Sequence, residues 1–268
     1  MRRIPEILSS HSRFVLAILV GLLPGLTFVD LCEGGPLAAD DSKPMVRFDL
    51  RAGDHVSLIG NTLADRMQHD GWLETFIYSR FPKHDLVFRN LGFAGDELTI
   101  RLRSANFGSP DQHLTRNKAD VVFAFFGYNE SFAGQEGLGK FKKDLDEFIK
   151  HTLTQKYNGK SAPRLVIFSP IAQEPARGRD LPDGVENNKR LVLYTDAMRD
   201  VSQRHGVPFV DLFAPTREQY AKASSPLTIN GIHLTADGDR LLAQVIDKAL
   251  FSGQPEPKRD PQALESLR

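Results

Sequence analysis

The sequence predicts an α/β protein: a three-layer αβα sandwich of flavodoxin-like type, built on a five-stranded parallel sheet. Three observations predict it. Five short apolar runs recur from His55 onward, longer amphipathic stretches separate them, and polar segments containing glycine follow the first three runs.

The runs at 55–59, 86–91, 121–126, 165–168 and 208–212 read as strands. Most are near-continuous in Val, Ile, Leu and Phe, as expected of strands buried on both faces. Phe141, Leu145, Phe148, Ile149 and Leu153 fall at helical spacing, with Lys142, Lys143, Asp146, Glu147 and Lys150 opposite them. A second helix is expected at 187–204, ending before His205-Gly206. A third is expected at 236–250, with Thr235 as N-cap and Asp237 in its first turn. Alternation of strand and helix implies right-handed crossovers, with functional groups at the carboxyl ends of the strands. The loop 171–185, rich in Pro, Gly, Arg and Asp, is expected at that edge.

The ends of the chain read differently. Arg2, Arg3 and Arg13 precede an apolar run, and Leu37-Ala38-Ala39 offers a small-residue cleavage site before Asp40. Residues 1–39 therefore read as an export signal to a periplasmic or extracellular destination, with an uncleaved anchor as the alternative. Residues 40–52 form a lead-in, 53–251 the folded domain and 252–268 a flexible tail with three prolines and many charges. Cys32 is the only cysteine, so cleavage would leave no disulfide and no thiolate metal site.

The 268 residues balance 34 basic against 34 acidic side chains, which gives no reason to expect a nucleic-acid partner. No P-loop, no dinucleotide fingerprint and no metal-ligand cluster is present, so neither a cofactor nor a metal is expected. Nothing suggests a membrane partner beyond the N-terminal anchor, and the sequence leaves the oligomeric state open.

Four segments carry the chemistry. Gly60-Asn61-Thr62-Leu63 runs from the first strand into a hydroxyl residue near a helix N-terminus, where Asn61 or Thr62 could equally cap the helix. Asn90-Leu91-Gly92-Phe93-Ala94-Gly95-Asp96-Glu97 follows the second strand, and its glycines permit close backbone approach or simply a turn. Gly127-Tyr128-Asn129-Glu130 follows the third strand; its Asn is an amide donor or the centre of an Asx-turn. Asn230-Gly231-Ile232-His233 precedes the last helix, its i, i+3 spacing letting Asn230 reach the ring. The other seven histidines read as ordinary surface or core residues. Asn230-Gly231 is also a dipeptide prone to deamidation, because glycine leaves succinimide closure unhindered.

Taken in order, these blocks resemble those of the SGNH (GDSL-like) hydrolase family over roughly 53–251. The resemblance implies a parallel-sheet αβα domain that hydrolyses esters or O-acyl groups. It places Thr62 at the nucleophilic serine, His233 at the general base and Asn230 at the orienting aspartate. Gly95, Asn129 and the Thr62 N–H would form the oxyanion hole, and Asn61 lies beside the nucleophile. Here Gly-Asn-Thr-Leu stands where the family has Gly-Asp-Ser-Leu, and Glu130 stands where it often has Asp. Thr62 keeps a hydroxyl but adds a methyl that restricts χ1. Asn230 can accept from the ring but cannot offset an imidazolium charge. Two readings follow: an exported esterase of small-molecule or carbohydrate esters, acylated sugars included, or an inactive relative that binds a carbohydrate or acyl ligand.

Overall fold

The computed structural model describes residues 48–101, 106–175 and 180–268. Both readings of residues 1–39, as signal or as anchor, lie outside these, as do Arg177 and Arg179 of the 171–185 loop.

All five expected strands form, and all pair in parallel: β1 (His55–Gly60), β2 (Val87–Asn90), β3 (Val121–Phe125), β4 (Arg164–Phe168) and β5 (Phe209–Val210). The spatial order is β2-β1-β3-β4-β5, the flavodoxin-like order. The helices are α1 (Thr62–Asp70), α2 (Trp72–Arg80), α3 (Pro110–Arg116), α4 (Gly134–Thr154), α5 (Val185–Arg204), α6 (Phe213–Lys222), α7 (Ala236–Leu250) and α8 (Pro261–Leu267).

Strand side chains alternate between two cores. Val121, Phe123 and Phe125 of β3 face α1, α2, α7 and α8 through Met67, Phe76, Ile246 and Leu264. Val122 and Ala124 face α4 and α5 through Leu145, Ile149, Met198 and Val201. Phe123 is fully buried, with ring centroids 5.7 Å from Phe48 and 5.2 Å from Phe168. Phe123→Ala is expected to lower unfolding free energy by about 3–5 kcal/mol, measured by urea titration.

Two stretches pack more tightly than the sequence suggests. Phe48 and Leu50 of the lead-in are buried in the core, so the folded domain begins before residue 53. The segment 252–268 is tied down where a flexible tail was expected. Arg259 and Arg80 converge on the buried Asp247, at 2.7 and 2.8 Å. Arg259 also lies over the Phe76 ring, and Arg268 over Trp72. Leu264 of α8 is buried in the same core as Phe76 and Trp72. Among the described residues no helix is long and apolar enough to cross a membrane.

Candidate active site

The first crest loop is shaped by sterics. Gly60 takes φ +134°, and a Cβ there would meet the Phe125 carbonyl oxygen at 2.0 Å, so β1 can turn against β3 only as glycine. Asn61 then donates its N–H to that oxygen at 3.0 Å and accepts from the Leu63 N–H at 3.1 Å through its side chain. Asn61 is thus the N-cap of α1. Thr62 is the first residue of that helix, and its hydroxyl makes no hydrogen bond among the described residues.

The second loop is stitched onto α1. Asn90 donates to the Ala64 carbonyl at 2.6 Å and accepts from the Gly92 N–H at 2.8 Å. Gly92 packs so closely that a Cβ would stand 2.5 Å from the Asp65 nitrogen. The Phe93 N–H reaches the Gly60 carbonyl at 2.9 Å. Gly95 follows at φ +85°, left-handed backbone that glycine adopts without strain.

The third loop locks onto the second. Asn129 donates through Nδ2 to the Asp96 carbonyl at 3.2 Å, which sets its amide beside the Gly95 turn and leaves a second N–H uncommitted. Glu130 clamps both loops, accepting from the Leu98 N–H at 3.0 Å and the Gly127 N–H at 2.9 Å. Burial pushes its carboxyl pKa up, against the opposing pull of these backbone donors. Its role is to join the loops.

The fourth loop closes on itself. An antiparallel bridge joins Thr228 to Leu234, and the Ile229 N–H donates to the His233 carbonyl at 2.7 Å. The contact expected between Asn230 and the ring is not made among the described residues. Asn230 Oδ1 instead accepts from the His233 and Ile232 backbone N–H groups, at 3.1 and 3.4 Å. The i, i+3 spacing suits either partner, and Gly231 at φ +93° turns the chain so that the amides win. Gly231 donates its N–H to Thr228 Oγ1 at 2.9 Å. The nitrogen that succinimide closure needs is therefore committed, which opposes the deamidation expected of this dipeptide.

Glu174 holds this fourth loop, and no sequence signal marks it. Its buried carboxylate accepts from the Leu227 N–H at 3.0 Å, the Thr228 N–H at 2.7 Å and the Thr228 hydroxyl. Glu174→Ala strands these donors and is expected to cost about 3 kcal/mol of stability, read by urea titration.

Thr62 and His233 line one cavity at the carboxyl edge of the sheet, with Asn61, Arg66, Tyr128, Ser169 and Asp239 also in its wall. The cavity is small, about 60 Å³, and opens to solvent. Gly95, Asn129 and Asn230 do not line it. The His233 ring makes no hydrogen bond among the described residues. Burial pushes its pKa down, and the nearby Arg66 cation pushes it the same way. The cavity thus holds a free hydroxyl and a neutral imidazole, with uncommitted amide donors on the neighbouring loops. That set suits acyl transfer. Among the described residues, no three His, Cys, Asp or Glu side chains converge as metal ligands.

Residues 58–241 match the GDSL-like Lipase/Acylhydrolase family. No curated protein sequence matches the chain. Among solved structures, a gut microbial diltiazem-metabolizing enzyme, BT4096, superposes with TM-score 0.61 at 20% identity, over 76% of this chain. This chain spans about half of that enzyme's length, 48%. LAE5, an α/β hydrolase from the metagenome of Lake Arreo, Spain, superposes with TM-score 0.54 at 19% identity, covering 82% of this chain and 98% of its own. A catalytic mutant of Axe2, an acetylxylan esterase from Geobacillus stearothermophilus, gives TM-score 0.59 at 15% identity, covering 79% and 99%. At these identities the likeness is one of fold.

Proposed function

The chain belongs to the GDSL-like lipase/acylhydrolase family, and on that premise we propose that it hydrolyses ester or O-acyl bonds through Thr62 and His233. One observation carries this reading. A threonine hydroxyl from the first crest loop and an imidazole from the last meet in one cavity, neither spent on another partner among the described residues.

In the proposed reaction, Thr62 Oγ1 attacks the ester carbonyl carbon while the neutral His233 ring takes its proton. The carbonyl oxygen becomes an oxyanion, received by the Gly95 N–H, the Thr62 N–H and the free N–H of the Asn129 amide. One such donor contributes about 3–4 kcal/mol when well aimed. The tetrahedral species collapses, the bond to the leaving alcohol breaks, and His233 returns the proton to it. Water, deprotonated by the same ring, then releases the acid and restores Thr62. Asn230 acts on the loop that carries the ring.

Acylated carbohydrate is the substrate class we favour, on the fold shared with an acetylxylan esterase. Export is part of the proposal and rests on the basic, apolar residues 1–39 and the Leu37-Ala38-Ala39 segment.

Hydrolysis of acetyl and butyryl esters, followed by pH-stat in wild type and His233→Ala, tests the reading. The base must be neutral to act, and its pKa lies below the ordinary 6.5. The kcat/KM of wild type is therefore expected to hold to below that pH and to fall as the ring protonates. His233→Ala is expected to lose about 10³-fold or more, together with this acid limb. Equal background rates in both proteins would instead support a second reading, a ligand-binding member of the family. That reading is favoured by the absence of a hydrogen bond from Thr62 or Asn230 to the ring.

A further inference from the structure

Arg66 lies one helical turn beyond Thr62, on the same face of α1, and lines the same cavity. Its Nε is shielded from solvent and has no hydrogen-bond partner, and no carboxylate of the described residues pairs with its guanidinium. Two carboxyl groups stand in the same wall, Asp70 and Asp239. Asp70 sits at i+4 with the cation N-terminal to the anion, the weaker order for a helical pair. Asp239 is 4% exposed, and its Oδ2 has no hydrogen-bond partner.

We propose that Arg66 and Asp239 form a subsite for a carboxylate carried by the ester, so that the cavity selects singly anionic esters over neutral ones. The guanidinium is the cation of this wall, and its fork fits a carboxylate in two parallel hydrogen bonds. Burial, followed by the charges of Asp70 and Glu74, pushes the Asp239 carboxyl up to about 8. At neutral pH it is therefore a protonated acid that donates an O–H rather than a charge that repels. The charge of Asp70, felt at Asp239, disfavours a doubly charged ligand. Arg66 also stands near enough to His233 to depress its pKa, so the carboxylate would be held within reach of the reactive pair. This inference rests on the reading of Thr62 and His233 as the reactive groups, because it sets the carboxylate relative to them.

Calorimetric titration of the full chain with monomethyl succinate and with dimethyl succinate, esters differing by one charge, tests it. A Thr62→Ala background slows consumption of either ester during the titration, and turnover is read separately in the wild-type chain. Monomethyl succinate is expected to bind about tenfold tighter or better, as one charge-assisted hydrogen bond would give. Arg66→Gln is expected to remove that preference. Arg66→Lys, which keeps the charge without the fork, retains part of it. Asp239→Asn, which keeps a donor, retains more than Asp239→Leu. Equal affinities, absence of measurable binding by the anionic ester, or a preference that survives Arg66→Gln would overturn the proposal. The preference without turnover on any ester would keep this subsite and sink the hydrolase reading. Turnover of both esters without any preference would do the reverse.

Discussion

Thr62→Ser is expected to raise kcat/KM on small acetyl esters by about tenfold, and Thr62→Ala to lower it by about 10³-fold or more. The two outcomes follow from the position of this residue in α1. Inside a helix, a threonine hydroxyl commonly turns back to bond the carbonyl one turn earlier. Thr62 opens α1, so it has no preceding helical turn, and its hydroxyl makes no hydrogen bond among the described residues. In the proposed reaction, what would hold it back is the methyl on Cβ, which limits χ1 and crowds the approach of a carbonyl carbon. Serine removes that methyl and keeps the oxygen. Alanine removes the oxygen, which in the proposed reaction leaves the oxyanion donors and His233-activated water as the residual catalysts. Steady-state kinetics on acetyl and butyryl esters reads both effects. An alanine variant with wild-type rates would assign the nucleophile elsewhere, and a serine variant slower than threonine would show a site fitted to the methyl.

Much of this architecture is legible in the sequence because its strands are continuous apolar runs, and a run such as Val121–Phe125 has one physical solution, burial on both faces. The edges are less legible. The run at 208–212 pairs only as Phe209–Val210, because Pro208 has no N–H and the strand has a single neighbour, β4. Helix α2 shows no helical period, since Trp72, Leu73, Thr75, Phe76 and Ile77 are all buried and the helix packs against α7 and α8. The packed tail depends on Arg259 finding Asp247 and Phe76, partners that spacing alone cannot assign.

The candidate groups follow the same division. Thr62 and His233 stand out as candidates because each sits where a strand or a loop meets a helix N-terminus. The side chains that hold them do not. Glu174 serves amides 53 and 54 positions further along. Glu130 joins Gly127 to Leu98, 32 positions back. Asn230 had two acceptable partners at one spacing, and only the left-handed turn at Gly231 decides between them.

Asn230→Asp carries the other large effect, an expected gain of about tenfold in kcat/KM. The Asn oxygen that now accepts from the His233 and Ile232 N–H groups would be kept as a carboxylate oxygen, a stronger acceptor for the same amides. The loop should therefore hold its shape. The new charge would stand three residues from a ring that burial and Arg66 currently bias toward its neutral form. In the proposed reaction, a carboxylate there would favour the imidazolium that forms as Thr62 loses its proton and so lower the barrier. In a serine-protease triad the reverse substitution costs about 10⁴-fold. The gain here should be smaller, because the oxygen already serves backbone amides and the effect on the ring is mainly Coulombic. The same charge must raise the His233 pKa, so the acid limb of kcat/KM should move to higher pH as the plateau rises. The pH profile thus separates two causes. A higher plateau with a shifted limb places the effect on the ring, a higher plateau with an unmoved limb places it on the loop, and an unchanged profile would mean that His233 works without a carboxylate's help.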